Sequence, residues 1–178
     1  INFNKIKKDS VITGVFKSKL LNSNLKFDFN YDGKKLKIYN SYFRNKNLSF
    51  NNESKIIFKP FFSLNSIINV ENINIKIFKD ININKILTLK DLIKKINTKN
   101  EINFKSKRFS KNLIDDLNLN INLAYGRIVY LKKISISENI FRCQGDADII
   151  EEYPILYFDC LIISKDKKKT FKKIFNKI

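Results

Sequence analysis

The sequence predicts a mainly β protein: an antiparallel meander forming a curled open sheet, a trough or half-barrel, with one or two short helices. Three observations carry that expectation. Apolar and polar residues alternate with period two in many short runs, the pattern of strands with one dry and one wet face. The rhythm of strand, helix and parallel strand is missing, and only one stretch switches to a helical period. No Pro-, Gly- or Ser-rich linker divides the chain, so residues 1–178 read as a single β-rich module.

The first nine residues are polar and basic, without a clear period. From Ser10, "SVITGVFKSKLL" reads as a short strand in which Gly14 marks a kink. Leu25, Phe27, Phe29 and Tyr31 then alternate with Lys26, Asp28 and Asn30, and Asp32–Gly33 is a strong two-residue hairpin signal. The return strand runs through Leu36 and Ile38 to about Tyr42. "RNKN" turns the chain into Leu48–Phe50, "NNES" turns it again into Ile56–Phe58, and Pro60 ends that strand. Ile73, Ile75 and Ile77 alternate with Asn72, Asn74 and Lys76, predicting a strand near 72–78.

The period then changes. Ile86, Leu89, Leu92, Ile93 and Ile96 fall on one helical face, with Lys90, Asp91, Lys94 and Lys95 largely off it. Thr88 followed by Asp91 resembles a capping box, with Asp in place of Glu or Gln. This helix starts at Asn82 or at Leu89 and stops by "NTKN". Strands resume with "EINFKSKRF", and "SKNLIDDL" reads as a connector with one helical turn. Leu117, Leu119, Ile121 and Leu123 alternate with Asn118, Asn120 and Asn122, and Ala124–Tyr125–Gly126 turns the chain into "RIVYLKKISIS". The count is six to nine strands and one helix.

The last hairpin carries the most specific expectation. Phe141, Cys143, Gly145, Ala147 and Ile149 alternate with Arg142, Gln144, Asp146 and Asp148, and Leu156, Phe158, Cys160 and Ile162 resume the period after "EEYP". A turn centred between Glu151 and Glu152 places Cys143 opposite Cys160 on the apolar face. Directly opposed β-carbons come within about 5 Å, which allows a disulfide in an oxidising compartment. The alternative, two buried reduced thiols acting as small hydrophobes, is preferred, because bridges between directly opposed strand residues tend to be strained.

Composition narrows the chemistry. The formal charge is +18, from 35 Lys and Arg against 17 Asp and Glu, which points toward nucleic acid or an anionic membrane surface. Yet only Arg44, Arg108, Arg127 and Arg142 are arginines in a chain crowded with Ile, Asn, Lys and Phe. Those are residues of A/T-rich codons, and nucleic-acid interfaces lean on arginine. There is no histidine, so the commonest acid–base group and metal ligand is missing, and two cysteines alone do not make a zinc site. Asp115–Asp116 and Glu151–Glu152 are sequence neighbours that a strand would point to opposite faces, and they read as solvated turn residues. The chain reads as a non-enzyme, with no metal or other cofactor. No apolar run approaches the roughly 20 residues of a spanning helix.

Methionine is absent, even at position 1, and Ile1 begins inside a pattern, so the expectation is a fragment of a longer protein. At the other end, Phe171, Ile174, Phe175 and Ile178 sit at helical spacing among Lys167, Lys168, Lys169, Lys172, Lys173 and Lys177. Lys168, Lys169, Phe171, Lys172, Ile174 and Phe175 are the candidates for contact with an anionic membrane surface. A terminal helix packed on the sheet end, or a frayed tail, is the plainer alternative and carries more weight.

The runs "LKFDFNYDGKKLKIYNSYFRNKNLSF", "KIIFKPFF" and "LNINLAYGRIVYLKKISISENIFRCQGDADIIEEYPILYFDCLIISKD" together resemble the C-terminal region of AsmA-like proteins, which include TamB-like and YhdP-like chains of Gram-negative bacteria. The resemblance covers about Val11 to Lys165. It rests on repeated short strands, the strand entry Gly126–Arg127–Ile128, and Gly145–Asp146 leading to a final hairpin. It implies a periplasmic protein tethered to the inner membrane by an N-terminal helix outside this sequence. In that family a long curled β-sheet is thought to carry phospholipid acyl chains on an apolar concave side, between inner and outer membranes. A membrane surface or an outer-membrane protein is the implied partner. The predicted helix near 86–96 and the high lysine content depart from the family pattern.

Acyl chains need only a continuous dry stripe, whose burial contributes about 0.8 kcal/mol per methylene. The candidate lining residues are Leu25, Phe27, Phe29, Leu119, Ile121, Leu123, Phe141, Cys143, Ile149, Leu156, Phe158, Cys160 and Ile162, and an ordinary core is the competing assignment for all of them. Two other functions compete. A nucleic-acid-binding β-domain would stack bases on Tyr39, Tyr42 and Phe43 between its lysines, and would show one dense basic face. A structural adaptor would have a closed core and one naked sheet edge that docks a partner strand.

Overall fold

The computed structural model describes residues 2–6, 11–74, 90–106, 114–136 and 139–164. Within them the chain forms one sheet of eleven strands in sequence order, β1 to β11, with β1 and β11 at its two edges and no pairing between those edges. The strands are β1 (Asn2–Ile6), β2 (Val11–Leu20), β3 (Ser23–Tyr31), β4 (Lys35–Arg44), β5 (Leu48–Ile57) and β6 (Ser63–Ile73). A single helical turn, α1 (Lys90–Ile93), precedes β7 (Asn97–Lys105), β8 (Asp116–Ala124), β9 (Arg127–Ile136), β10 (Asn139–Asp148) and β11 (Leu156–Ile163). The mainly β, open-sheet expectation holds, with more strands than the six to nine expected.

Local chemistry sets the turns. Tyr125 (φ 50) and Gly126 (φ 95) join β8 to β9, the left-handed pair that matches the twist of antiparallel strands. Leu21 (φ 48) and Asn22 (φ 60) join β2 to β3 in the same way, without the glycine that would have marked the turn in the sequence. Between β3 and β4 the Asp32 carboxylate accepts hydrogen bonds from the N–H groups of Lys34 (3.0 Å) and Lys35 (2.7 Å). These bonds hold its carboxyl below the usual carboxylate range. Asn45 Oδ1 does the same for Asn47 (2.8 Å) and Leu48 (2.7 Å) at the next turn.

Several expected features are corrected. "NNES" is not a turn: β5 runs unbroken through it, because each of Asn51, Asn52, Glu53 and Ser54 pairs with β6. The strand expected near 72–78 is the end of β6, which starts at Ser63, and residues 75–78 lie outside the described residues. Gly14 makes no kink and pairs regularly with Phe29. The irregularities fall at Lys26/Asp28, Ile38/Ser41 and Ser49/Phe50, and in the second of these Asn40 (φ 48) takes the left-handed conformation.

The meander also has one exception: β6 and β7 run parallel. Parallel neighbours need a crossover of about a dozen residues or more, and residues 74–96 supply it. Of the predicted helix, Lys90–Ile93 is helical and Ile93 is buried, while residues 82–89 lie outside the described residues. The "SKNLIDDL" connector lies partly outside them too, and Asp116 already belongs to β8.

The register divides the sheet into two chemically distinct faces. One row runs Leu25, Phe43, Phe50, Val70, Phe104, Leu117, Ile134, Phe141, Ile162, one residue from each strand from β3 to β11. On the other face Asn51, Asn69, Asn103 and Asn118 are directly opposed across β5 to β8. Asn118 Nδ2 donates to Asn103 Oδ1 (2.7 Å), and Asn103 Nδ2 to Glu101 Oε1 (3.0 Å). Among the described residues the buried apolar side chains are Ile93, Phe104, Cys143 and Ile149, and no large side chain is fully buried. The described sheet is therefore a single layer whose apolar face stays partly open to solvent.

Candidate functional site

The apolar face is the candidate site, and the register assembles it row by row. Beside the row just described, Phe29, Ile38, Ser54, Ser66, Asn100, Ile121, Tyr130, Gly145 and Phe158 form another. Leu123, Ile128, Ala147 and Leu156 lie in a further row, and Leu119 in the row of Lys132, Cys143 and Cys160. Phe27 opposes Phe16, with ring centroids 4.9 Å apart. Every predicted groove residue within a strand thus shares one face. Ile149 lies just past β10, buried, its N–H donating to the Gly126 carbonyl (2.9 Å).

Neighbouring strands are about 4.8 Å apart, so the row from β3 to β11 runs roughly 38 Å along the sheet, more than the ~30 Å hydrocarbon thickness of a bilayer. Its middle comes from residues the sequence did not single out: Phe50, Val70, Phe104 and Ile134. Phe43 and Phe50 stack there with ring centroids 5.1 Å apart. The signal for them exists, since Phe43 and Phe50 flank a turn and Val70 lies two residues from Ile68. Bulges and Ser66 interrupt the alternation that would have revealed it.

Cys143 and Cys160 are directly opposed, as the turn geometry requires, and they form a disulfide with Cα atoms 4.1 Å apart. This overturns the preference for reduced thiols. Opposed residues at a non-hydrogen-bonded pair sit about 4.5 Å apart at Cα, close enough for the two sulfurs to meet. The bond ties the edge strand β11 to β10. Cys143 is buried, whereas every residue of β11 is exposed, including Phe158 at 67%.

The three aromatic residues considered for base stacking do not share a surface. Tyr39 donates its hydroxyl to Asn30 Oδ1 (3.0 Å), and Tyr42 lies under the Arg44 guanidinium (5.5 Å) on the polar face. Phe43 faces the other way, stacked on Phe50. Cations and acids interleave on the polar face: Arg127 pairs with Asp146 (2.9 Å) and Arg44 with Glu71 (3.7 Å). A cavity of about 660 Å³ on that face is lined by Lys37, Lys55 and Lys99 together with Glu53 and Glu101.

No group of three or more His, Cys, Asp or Glu among the described residues is placed to hold a metal ion. No helix among them is long and apolar enough to cross a membrane. The membrane-surface candidates Lys168, Lys169, Phe171, Lys172, Ile174 and Phe175 lie outside the described residues. No family model matches the chain, and neither a curated protein nor a solved structure is significantly similar to it.

Proposed function

We propose that this chain is a β-sheet module of the AsmA-like kind, holding phospholipid acyl chains along its apolar face. In that role it contributes to lipid transport between inner and outer membranes, and to outer-membrane maintenance, from the periplasm. The observation that carries the reading is the apolar row across β3 to β11, on a sheet with no fully buried large side chain among the described residues. Such a face needs a cover of hydrocarbon character, and each acyl methylene laid on it contributes about 0.8 kcal/mol. A sheet that curls around the chains into a trough fits the same reading, and the disulfide suits an oxidising compartment.

A second reading, a structural adaptor, draws on β11, an edge strand exposed on both faces whose only charged residue is Asp159. Long apolar edges of this kind pair with other strands. The closed core that an adaptor would bring is not found among the described residues. Interleaved acids and the split of Tyr42 from Phe43 weigh against a nucleic-acid surface.

Native mass spectrometry of the purified protein, with lipid extraction from the same sample, tests the proposal. Phospholipid should co-purify with the wild-type chain and be lost from Ile121→Asp, with the β-sheet circular dichroism retained. A folded wild-type protein free of lipid would move the assignment to the adaptor.

A further inference from the structure

One end of the sheet carries a basic cluster of aromatic rings. Lys35, Ile57, Ser63 and Asn97 form the last register row there, so the β3–β4 turn and the β5–β6 connection lie side by side just beyond it. The Phe58 N–H donates to the Lys34 carbonyl (2.9 Å) and ties the two together. The Phe58 ring meets Tyr31 and Phe62 edge-on, with centroids 6.2 and 6.3 Å apart. Phe61 stands outside that group, 71% exposed in the connection.

The charge around these rings is positive. From Asp32 to Lys35 and from Phe58 to Phe62 the chain bears three exposed lysines, Lys34, Lys35 and Lys59, and a single carboxylate. That carboxylate, Asp32, is turned into its own turn by the N–H groups of Lys34 and Lys35. The β10–β11 connection at the same end has the opposite chemistry. Its Tyr153 is 76% exposed, yet residues 149–155 carry Glu151 and Glu152 and no cation. Both connections expose an aromatic ring, and only the first joins it to positive charge.

We infer that the β3–β4 and β5–β6 connections form a membrane-docking tip that seats Phe61 in the interface of an anionic bilayer. Apolar rings set into the acyl boundary, with lysines level with the headgroups, are the pattern of interfacial binding, and each lysine near an anionic surface adds to the attraction. Nucleic acid would call for arginine, and neither connection has one. The cluster is also continuous with the apolar face. Tyr31, which Phe58 touches, opens the register row Tyr31, Leu36, Ile56 and Leu64, so a docked tip brings the dry rows to the bilayer. Docking by this tip is distinct from holding acyl chains, and either can fail alone.

The chain contains no tryptophan, so Phe61→Trp and Tyr153→Trp each place a single indole at an exposed position. Each variant is mixed with vesicles of phosphatidylcholine brominated on its acyl chains, with or without phosphatidylglycerol. With phosphatidylglycerol present, the emission of Phe61→Trp should shift to the blue and be quenched by the bromines, while that of Tyr153→Trp should do neither. Phe61→Ser should weaken co-flotation of the protein with the anionic vesicles roughly tenfold, and Tyr153→Ser should leave it unchanged. Co-flotation without quenching of Phe61→Trp would mean adsorption by net charge alone and would overturn the inference. Equal quenching at both positions, quenching that needs no phosphatidylglycerol, or no co-flotation at all would overturn it too. Phospholipid that still co-purifies with the chain would then leave the lipid-holding function standing.

Discussion

Strands β8 to β11 and strands β4 to β7 present the same face of one sheet with opposite chemistry. From β8 onward that face is almost wholly apolar, Lys132 being its charged exception, and the last strand is exposed along its whole length. In β4 to β7 it carries a hydrogen-bonded group of Ser, Asn and Thr beside the best-buried apolar side chain among the described residues, Phe104 at 4% exposure. The central strands are thus held by neighbours on both sides and by side-chain hydrogen bonds. The last strand is held by one ladder and one disulfide. Stability and exposed apolar surface are separated along the sheet: the centre anchors, and the β8–β11 end offers dry surface.

The largest effect should come from the centre. Phe104→Ala is expected to cost about 3 kcal/mol or more, as truncation of a buried aromatic does, whereas Phe158→Ala, largely exposed, should cost less than about 1 kcal/mol. Urea unfolding of the two variants measures the contrast, and equal losses would break it.

A smaller loss is expected at the edge on removing the disulfide. It spans a sequence separation of 17, and a loop of that length corresponds to about 3 kcal/mol as an upper figure. Because β11 has a single neighbour, much of the loss should appear as local fraying. In Cys143→Ser with Cys160→Ser, amide exchange should accelerate in β11 and stay unchanged in β5 to β7.

The smallest effect belongs to the β3–β4 turn. The two backbone hydrogen bonds, from Lys34 and Lys35, hold the Asp32 carboxyl below its ordinary value. Its contribution is therefore present above that value and lost as pH falls through the lower, folded one. Asp32→Ala should lower the melting temperature slightly at pH 7, with the gap to wild type closing in strong acid. A gap that does not change with pH would show that the carboxylate is not the cause.

The same division explains what could be read in the chain. Around β8 to β11 strict alternation exposed the dry face, and the symmetric turn fixed the pairing of Cys143 with Cys160 correctly. In β4 to β6 three physical features hid it. Bulges reset the parity, so Tyr39 and Tyr42, three residues apart, both pair on the polar face. Asn52, Ser54 and Ser66 put polar side chains where the period called for apolar ones, which made "NNES" look like a turn and concealed β6. Strand direction leaves no mark on alternation, so the parallel pair of β6 and β7 was invisible. The covalent state of the two cysteines was beyond the pattern as well, since opposition in a ladder permits both a bond and a pair of thiols.

The most direct test of the lipid-holding account is photo-crosslinking with a phospholipid that carries a diazirine on one acyl chain, mapped by peptide mass spectrometry along β8. The account predicts adducts on Leu117, Leu119, Ile121 and Leu123, with Asn118, Asn120 and Asn122 left unlabelled. Labelling of both sets alike, or of the asparagines alone, would contradict it.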